Sequence, residues 1–421
     1  MTLRDAVAAV RSTADDIRLW QEDLYRDLHR NPELSHQEHR TAAIVAERLS
    51  AAGFDVTTGV GGTGVVGVLR NGAGPTVLLR ADMDALPVKE ETGLPYASTT
   101  VSTPVGEDGE VPVMHACGHD MHTACLVGAA QLLASGVRHW RGKLVTVFQP
   151  AEETINGARG MVEDGLAELV GPVDVALGQH VAPLPAGTLA TIPGPAFAGG
   201  ASIRITLYGR GGHASMPQST VDPAVLAAAI VLRLQGVVAR EIQPGEPAVV
   251  TVGSLHVGTK ANIIADKAEL LVNIRFYSDT VRTTLLTAIR RIVTGECAAS
   301  GCPRDPDIEI FEQAPVTDND ADVTARVSGA LSAVFGADAL ITVPPATGSE
   351  DFSDLAHGVG APYSFWLFGG SDPALFPSAP IVGVPTDIPA NHSPYFAPLI
   401  QPTLETGTAA LVAAALAWLA C

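Results

Sequence analysis

The stretch VMHACGHDMHTAC, Val113 to Cys125, brings His115, His119 and His122 together with Cys117 and Cys125. Metal binding, thiol nucleophilic catalysis and redox exchange all draw on such residue types, so this stretch alone leaves three chemistries open. Further along, Glu152 and Glu153 directly follow the aliphatic run KLVTVFQ, His180 ends VDVALGQH, and His392 lies in the irregular ANHSPYF. Cys117 and His119 flank Gly118, and an extended Cys-Gly-His stretch could aim both side chains at one cation or at two neighbouring ones. Neighbours in an extended chain point in opposite directions, which suits Glu152 and Glu153 to separate tasks. One carboxylate would sit on a metal while the other holds its water. A donor set of thiolate, imidazole and carboxylate fits zinc, manganese, cobalt or nickel better than calcium or magnesium.

Taken singly, each residue has an ordinary explanation: a hydrogen-bonded loop histidine, a small buried cysteine, an exposed acidic pair. Taken together at the ends of successive predicted strands, they are better explained by a shared site, because buried polar groups without partners are costly. A thiol hydrolase built on Cys117 and His119 fits less well, since residues so close along an extended chain seldom reach attack geometry and the paired glutamates would have no role. His115 and His122 are expected to be structural or supporting, His29 to close a helix, and His36, His39, His139 and His357 to lie at the surface. Cys125 falls on an apolar helical pattern and is expected in the core.

These residues need a scaffold that gathers them. Helical periodicity runs from Leu3 to Leu28 and again through EHRTAAIVAERLSAAG, which stops at Gly53. TGVVGVLR, TVLLRADMD, KLVTVFQPAEE and VDVALGQH are short aliphatic runs that turn polar at their C-terminal ends, with the helical TACLVGAAQLLASG among them. That alternation predicts an α/β fold with a mostly parallel central sheet covered on both faces. Ligands collect beyond the carboxyl ends of such strands, where Asp82, Asp84, Glu152, Glu153 and His180 fall. From Gly199 the pattern becomes β-α-β-β-α-β, the order of a ferredoxin-like α+β unit. From about Val323 it returns to α/β character. The simplest organisation is a larger domain over 1–195 and 315–421, interrupted by an inserted domain over 196–314. FGGSDPALFPSAPIVGVP is expected to be a Gly/Pro-rich surface loop.

Composition narrows the partners. The 421 residues carry 45 Asp and Glu against 26 Lys and Arg, so electrostatic attraction to nucleic acid or to an anionic membrane is not expected. A small-molecule partner is. The N-terminal MTLRDAVAAVRSTADDIRLW has charges throughout its apolar pattern and predicts an amphipathic helix, with neither a signal-peptide core nor a spanning segment. Five unevenly spaced cysteines suit free thiols in a reducing compartment, and the expected location is cytoplasmic.

The chain resembles the M20 family of metallopeptidases, in the amidohydrolase branch that holds N-acyl-amino-acid, hippurate and auxin-conjugate hydrolases. LHRNPELSHQEHRTA, LLRADMDALPV, HACGHDMHTA, FQPAEE, GQHV, GRGGHASMPQSTVDP, ANIIAD, NIRFYS, GSEDFS and NHSPYF carry the resemblance, in order, across nearly the whole chain. It implies a zinc-exopeptidase-like catalytic domain holding two divalent metal ions, and an inserted lid that mediates homodimerisation. The implied ligands are Cys117, His119, Glu153, His180 and His392, with Glu152 as general base. By the same resemblance His213 would reach the partner's active site to steady a carbonyl oxygen, and Asn262 and Arg275 would hold the substrate's α-carboxylate. The implied reaction is hydrolysis of N-acyl-L-amino acids by water activated on the metals and by Glu152; a metallo-dipeptidase or desuccinylase is the nearest alternative. The family's His-x-Asp motif reads Asp82-Met83-Asp84 here, which leaves those acids as supporting groups; relatives often have a histidine at Gln218, and Glu350 is either a support to the ligands or a helix cap.

Overall fold

The computed structural model describes residues 2–106, 108–376 and 387–420. It divides into two compact units, one of Met1–Ala196, Asp318–Pro345 and Asp351–Cys421, the other of Phe197–Thr317 and Ala346–Glu350. In the larger unit a seven-stranded sheet runs in the order Asp55–Val60, Gly64–Asn71, Gly142–Gln149, Thr76–Asp82, Val175–Pro185, Tyr363–Ser371, Leu189–Ala190. The four strands from Gly142–Gln149 to Tyr363–Ser371 are parallel neighbours, and the pairings outside them are antiparallel. The run TGVVGVLR therefore differs from the parallel expectation. Only residues 61–63 separate it from the strand before it, too few for a crossover, so the pair forms a hairpin at the sheet edge.

The central strand Thr76–Asp82 is buried along its whole length. Helix His119–Ser135 and the C-terminal helix Thr403–Leu419 are buried nearly all round and share one core with the sheet. The N-terminal helical pattern is broken in two, Leu3–Val10 and Ala14–Arg30, by a tight turn at Arg11–Thr13. Of the expected Gly/Pro-rich loop, Phe368–Ser371 instead completes the strand Tyr363–Ser371, where Phe368 is fully buried. Residues 377–385 of that loop lie outside the described residues.

The smaller unit has the element order β-α-β-β-α-β. Its antiparallel sheet runs Ala248–Val257, Lys267–Phe276, Gly199–Tyr208, Asp307–Ala314. Alternate residues of the inner strands, among them Ile203, Ile205, Leu270 and Val272, pack against helices Pro223–Glu241 and Asp279–Ser300. The first of these helices is long and apolar enough to cross a membrane by length and composition. Its Leu226, Ile230 and Leu234 are instead buried in this unit's core. Residues Ala346–Glu350, assigned by sequence pattern to the larger domain, group with the smaller unit. The Ala198 N–H donates to the carbonyls of Ala346 and Gly348, and the Tyr277 hydroxyl donates to Ala346.

Candidate metal centre

Beyond the carboxyl ends of the parallel strands, Cys117, His119, Glu152, Glu153, His180 and His392 converge. Cys117 Sγ lies 3.5 Å from His180 Nε2. His119 Nε2 is 3.8 Å from Glu153 Oε1 and 3.9 Å from Glu152 Oε2, while His392 Nε2 is 3.4 Å from Glu153 Oε2. Three ligand-like groupings overlap here: Cys117 with His119 and His180, Cys117 with Glu153 and His392, and His119 with Glu152 and Glu153. Shared members make two adjacent cation positions the natural reading of such a set.

Local backbone explains the convergence, and it differs from the extended geometry expected from sequence. Gly118 has φ +84° and a left-handed conformation, and a Cβ there would stand 2.4 Å from Val181 Cγ1, so only glycine fits. His119 is then the first residue of its helix, and the Cys-Gly-His stretch turns sharply. Glu152 and Glu153 likewise sit in a turn closed by Ile155 N–H to the Glu152 carbonyl, after Ala151 at φ +51°. Both carboxylates therefore approach His119, where the extended reading had them opposed. His180 does not end its strand, which continues to Pro185; pairing with Thr76–Asp82 stops at Gly178, and His180 lies just past that point. His392, at φ +71°, is tethered by its N–H to the Ala116 carbonyl. Asn391, which sequence reasoning passed over, donates to the carbonyls of Cys117 and Val181 and so ties three of the segments together.

Supporting acids orient the imidazoles. Asp84 Oδ1 lies 3.1 Å from His119 Nδ1, while its Oδ2 accepts from the Ser35 hydroxyl and the Glu153 N–H. That contact turns His119 Nε2 toward the centre. The Nδ1 of His180 donates to the Val181 carbonyl, which directs its Nε2 toward Cys117. His122 has both nitrogens occupied: Nε2 accepts the Val181 N–H and Nδ1 donates to Asp82. Asp82 in turn rests on the fully buried Arg80. Thus Asp82, Asp84 and His122 support the ligand candidates. The helix following GSED has Asp351, not Glu350, at its N-cap position.

Whether a cation fits is answered by two atoms. His119 Nε2 and Glu153 Oε1 are buried side-chain atoms with no hydrogen-bond partner, a costly arrangement unless something else satisfies them. Burial pushes the Glu153 carboxyl up to about 8, against the pull of His119, and pushes the Cys117 thiol well above its ordinary value. Burial opposes a charge on His119, but Asp82, Cys117 and Asp84 together outweigh it and hold its pKa well above ordinary; burial and His122 hold His180 well below. A divalent cation would bind these groups in their deprotonated forms, so its binding would release protons. The donor set fits such an ion.

In the smaller unit, His213 and Asn262 are brought together. His213 pairs with Ile263 in a short ladder, Ala214 N–H donates to the Asn262 carbonyl, and the His213 ring contacts the Ser215 hydroxyl at 2.7 Å. Arg275 lies on the four-stranded sheet, donates to Asn273 and touches the Ser349 hydroxyl. Two other histidines are buried, His29 at the end of its helix as expected. His29 is buried in the last turn of its helix, bound on both sides by acids. His115 is buried with neither ring nitrogen hydrogen-bonded, and burial lowers its pKa to about 4.

Residues 78–417 match peptidase family M20/M25/M40. Thermostable carboxypeptidase 2 of Saccharolobus solfataricus is 37% identical over 367 residues, covering 86% of this chain and 89% of its own length. The hippurate hydrolase of Campylobacter jejuni is 36% identical, with 82% and 87% covered. A dinuclear metal-binding peptidase of the M20 family from Bacillus subtilis superposes with a TM-score of 0.75 at 27% identity, over 96% of this chain and 99% of its own. The chain belongs to the M20 peptidase family.

Proposed function

We propose that this metal-dependent amidohydrolase cleaves the amide bond of N-acyl-L-amino acids. Cys117, His119, Glu153, His180 and His392 would hold two divalent ions, from among manganese, zinc, cobalt and nickel, and Glu152 would handle the proton. The observation that carries this reading is the buried, unpartnered pair His119 Nε2 and Glu153 Oε1, set beside a second carboxylate. Ions bound there would supply Lewis-acid polarisation of the acyl oxygen and a lowered pKa for water. Glu152 would take a proton from the attacking water and pass it to the departing amine nitrogen, as the C–N bond breaks and a C–O bond forms. Arg275 and Asn262 would grip the α-carboxylate, Arg275 as a two-pronged donor. In a homodimer, the partner subunit's His213 would steady the acyl oxygen. The relatives named hippurate hydrolase and, at 34% identity, N-acetyl-L-cysteine deacetylase support an acyl group of modest size. Free thiols at Cys117, Cys125, Cys297 and Cys302 suit a cytoplasmic home.

A second reading has its own support: the carboxypeptidase relative favours release of a C-terminal residue from a peptide. One panel separates the two. The purified protein, loaded in turn with each of the four metals, is offered benzoyl-, acetyl- and indoleacetyl-amino acids beside dipeptides and N-succinyl substrates. The expected result is turnover highest on an acyl-amino acid, with Glu152→Gln keeping its metal and losing about 10²-fold to 10⁴-fold in kcat. Near-full kcat in the metal-loaded Glu152→Gln protein would contradict the assignment.

A further inference from the structure

The segment NPELSHQE, Asn31 to Glu38, has no part in the proposed chemistry, yet it runs beside the Glu152 turn. Glu38 is fully buried, and its Oε1 accepts two backbone N–H groups, from Ala151 at 2.8 Å and from His36 at 2.9 Å. Its other oxygen accepts from the Thr63 hydroxyl. Among the described residues the non-glycine positions with positive φ are His36, Ala151, Ile155 and His392. A single carboxylate oxygen thus holds two of these four left-handed residues, and Ala151 directly precedes Glu152. Left-handed backbone at a non-glycine residue is strained and persists only where its surroundings impose it. Three residues back from Glu38, the Ser35 hydroxyl donates to Asp84 Oδ2, the oxygen that also accepts the Glu153 N–H. Farther along the same turn, His36 Nε2 meets Asn156 Oδ1 at 3.0 Å.

We infer that Ser35–Glu38 is a strap that positions the Glu152–Glu153 turn, with Glu38 as its principal positioning residue. This rests on the role proposed for Glu152. The strap acts on the backbone: it keeps Ala151 left-handed, so that Glu152 and Glu153 turn toward His119 together. A glutamine at 38 preserves that function, because its amide oxygen accepts the same two N–H groups while the Thr63 hydroxyl accepts from its NH2. Alanine removes it.

The test uses the full chain. Hydrogen exchange of the segment 149–156 is measured by mass spectrometry, beside manganese content and steady-state kinetics on N-benzoylglycine. Glu38→Ala is expected to exchange at least about 10-fold faster in that segment than wild type. Its kcat should fall about 30-fold to 100-fold, with KM within about threefold and metal content retained. Glu38→Gln should restore both readouts. Unchanged exchange in a folded Glu38→Ala protein, or a Glu38→Gln protein as impaired as alanine, would overturn the strap. If Glu38→Ala does not fold, Ser35→Ala decides, with faster exchange and lower kcat expected and Ser35→Thr restoring both; wild-type values in Ser35→Ala overturn the proposal. Should the wild type hydrolyse no acyl-amino acid, the functional reading falls, while the exchange data still decide the strap.

Discussion

Two clusters in the larger unit are built from the same residue types and end in opposite states. Around His29, Nδ1 meets Asp120 Oδ2 at 2.7 Å and Nε2 meets Glu90 Oε1 at 3.0 Å, so both ring nitrogens are taken. Asp120 is further held by the Met121 N–H and Glu90 by the Ser98 N–H, with Tyr25 and Tyr96 packed around the ring. Around His119, Nδ1 faces Asp84, and Nε2, which has no hydrogen-bond partner of its own, faces the carboxylates of Asp82, Glu152 and Glu153 and the Cys117 thiol. The first cluster is closed by protein groups. The second needs something that protein groups do not provide. The difference shows that histidines and acids in proximity do not make a metal centre; it takes unsatisfied lone pairs on several ligand-type side chains that face one another.

The comparison can be broken most decisively at His119. His119→Ala is expected to abolish turnover and to lower bound metal below wild type at equal free concentration, measured by elemental analysis after dialysis. The same substitution class at His29 should leave metal content intact, and a His29→Gln protein that lost its metal would erase the distinction. The expected effect there is on stability. The pKa of His29 stands at about 9 against an ordinary 6.5: burial opposes the charge, but Asp120 and Glu90 more than offset it. A raised pKa of this kind contributes stability that is fully present below pH 6.5 and is lost as the pH climbs through 9. Denaturant unfolding of the metal-free protein should therefore show wild type losing on the order of 3 kcal/mol more than His29→Gln between those limits. Equal losses in the two proteins would contradict the closed ion cluster.

Much of this was legible in sequence, for reasons that stop at identifiable places. Cys117, His119, Glu152, Glu153, His180 and His392 stood out because chemically capable residues interrupted apolar patterns at strand ends, and the structure brings all six together. The parallel core was legible because its strands are doubly buried and hence continuously apolar. What was hidden depends on backbone conformation or on partners far away in the chain. The left-handed Gly118 and Ala151 decide where His119 and the glutamates point, and a reading that assumed extended chain set the glutamates apart. His29 pairs with an aspartate 91 positions away, so nothing near it in sequence marked it as buried. Glu38 was passed over for the same reason, since its main partner is the backbone of Ala151, whose N–H has no sequence signature.

The most direct test of the central claim is anomalous diffraction from crystals of the manganese-loaded protein, recorded on both sides of the manganese edge. The account predicts two adjacent peaks, each within about 2.0–2.6 Å of donor atoms drawn from Cys117, His119, Glu153, His180 and His392. Peaks located away from these side chains in an enzyme that turns over substrate would contradict it.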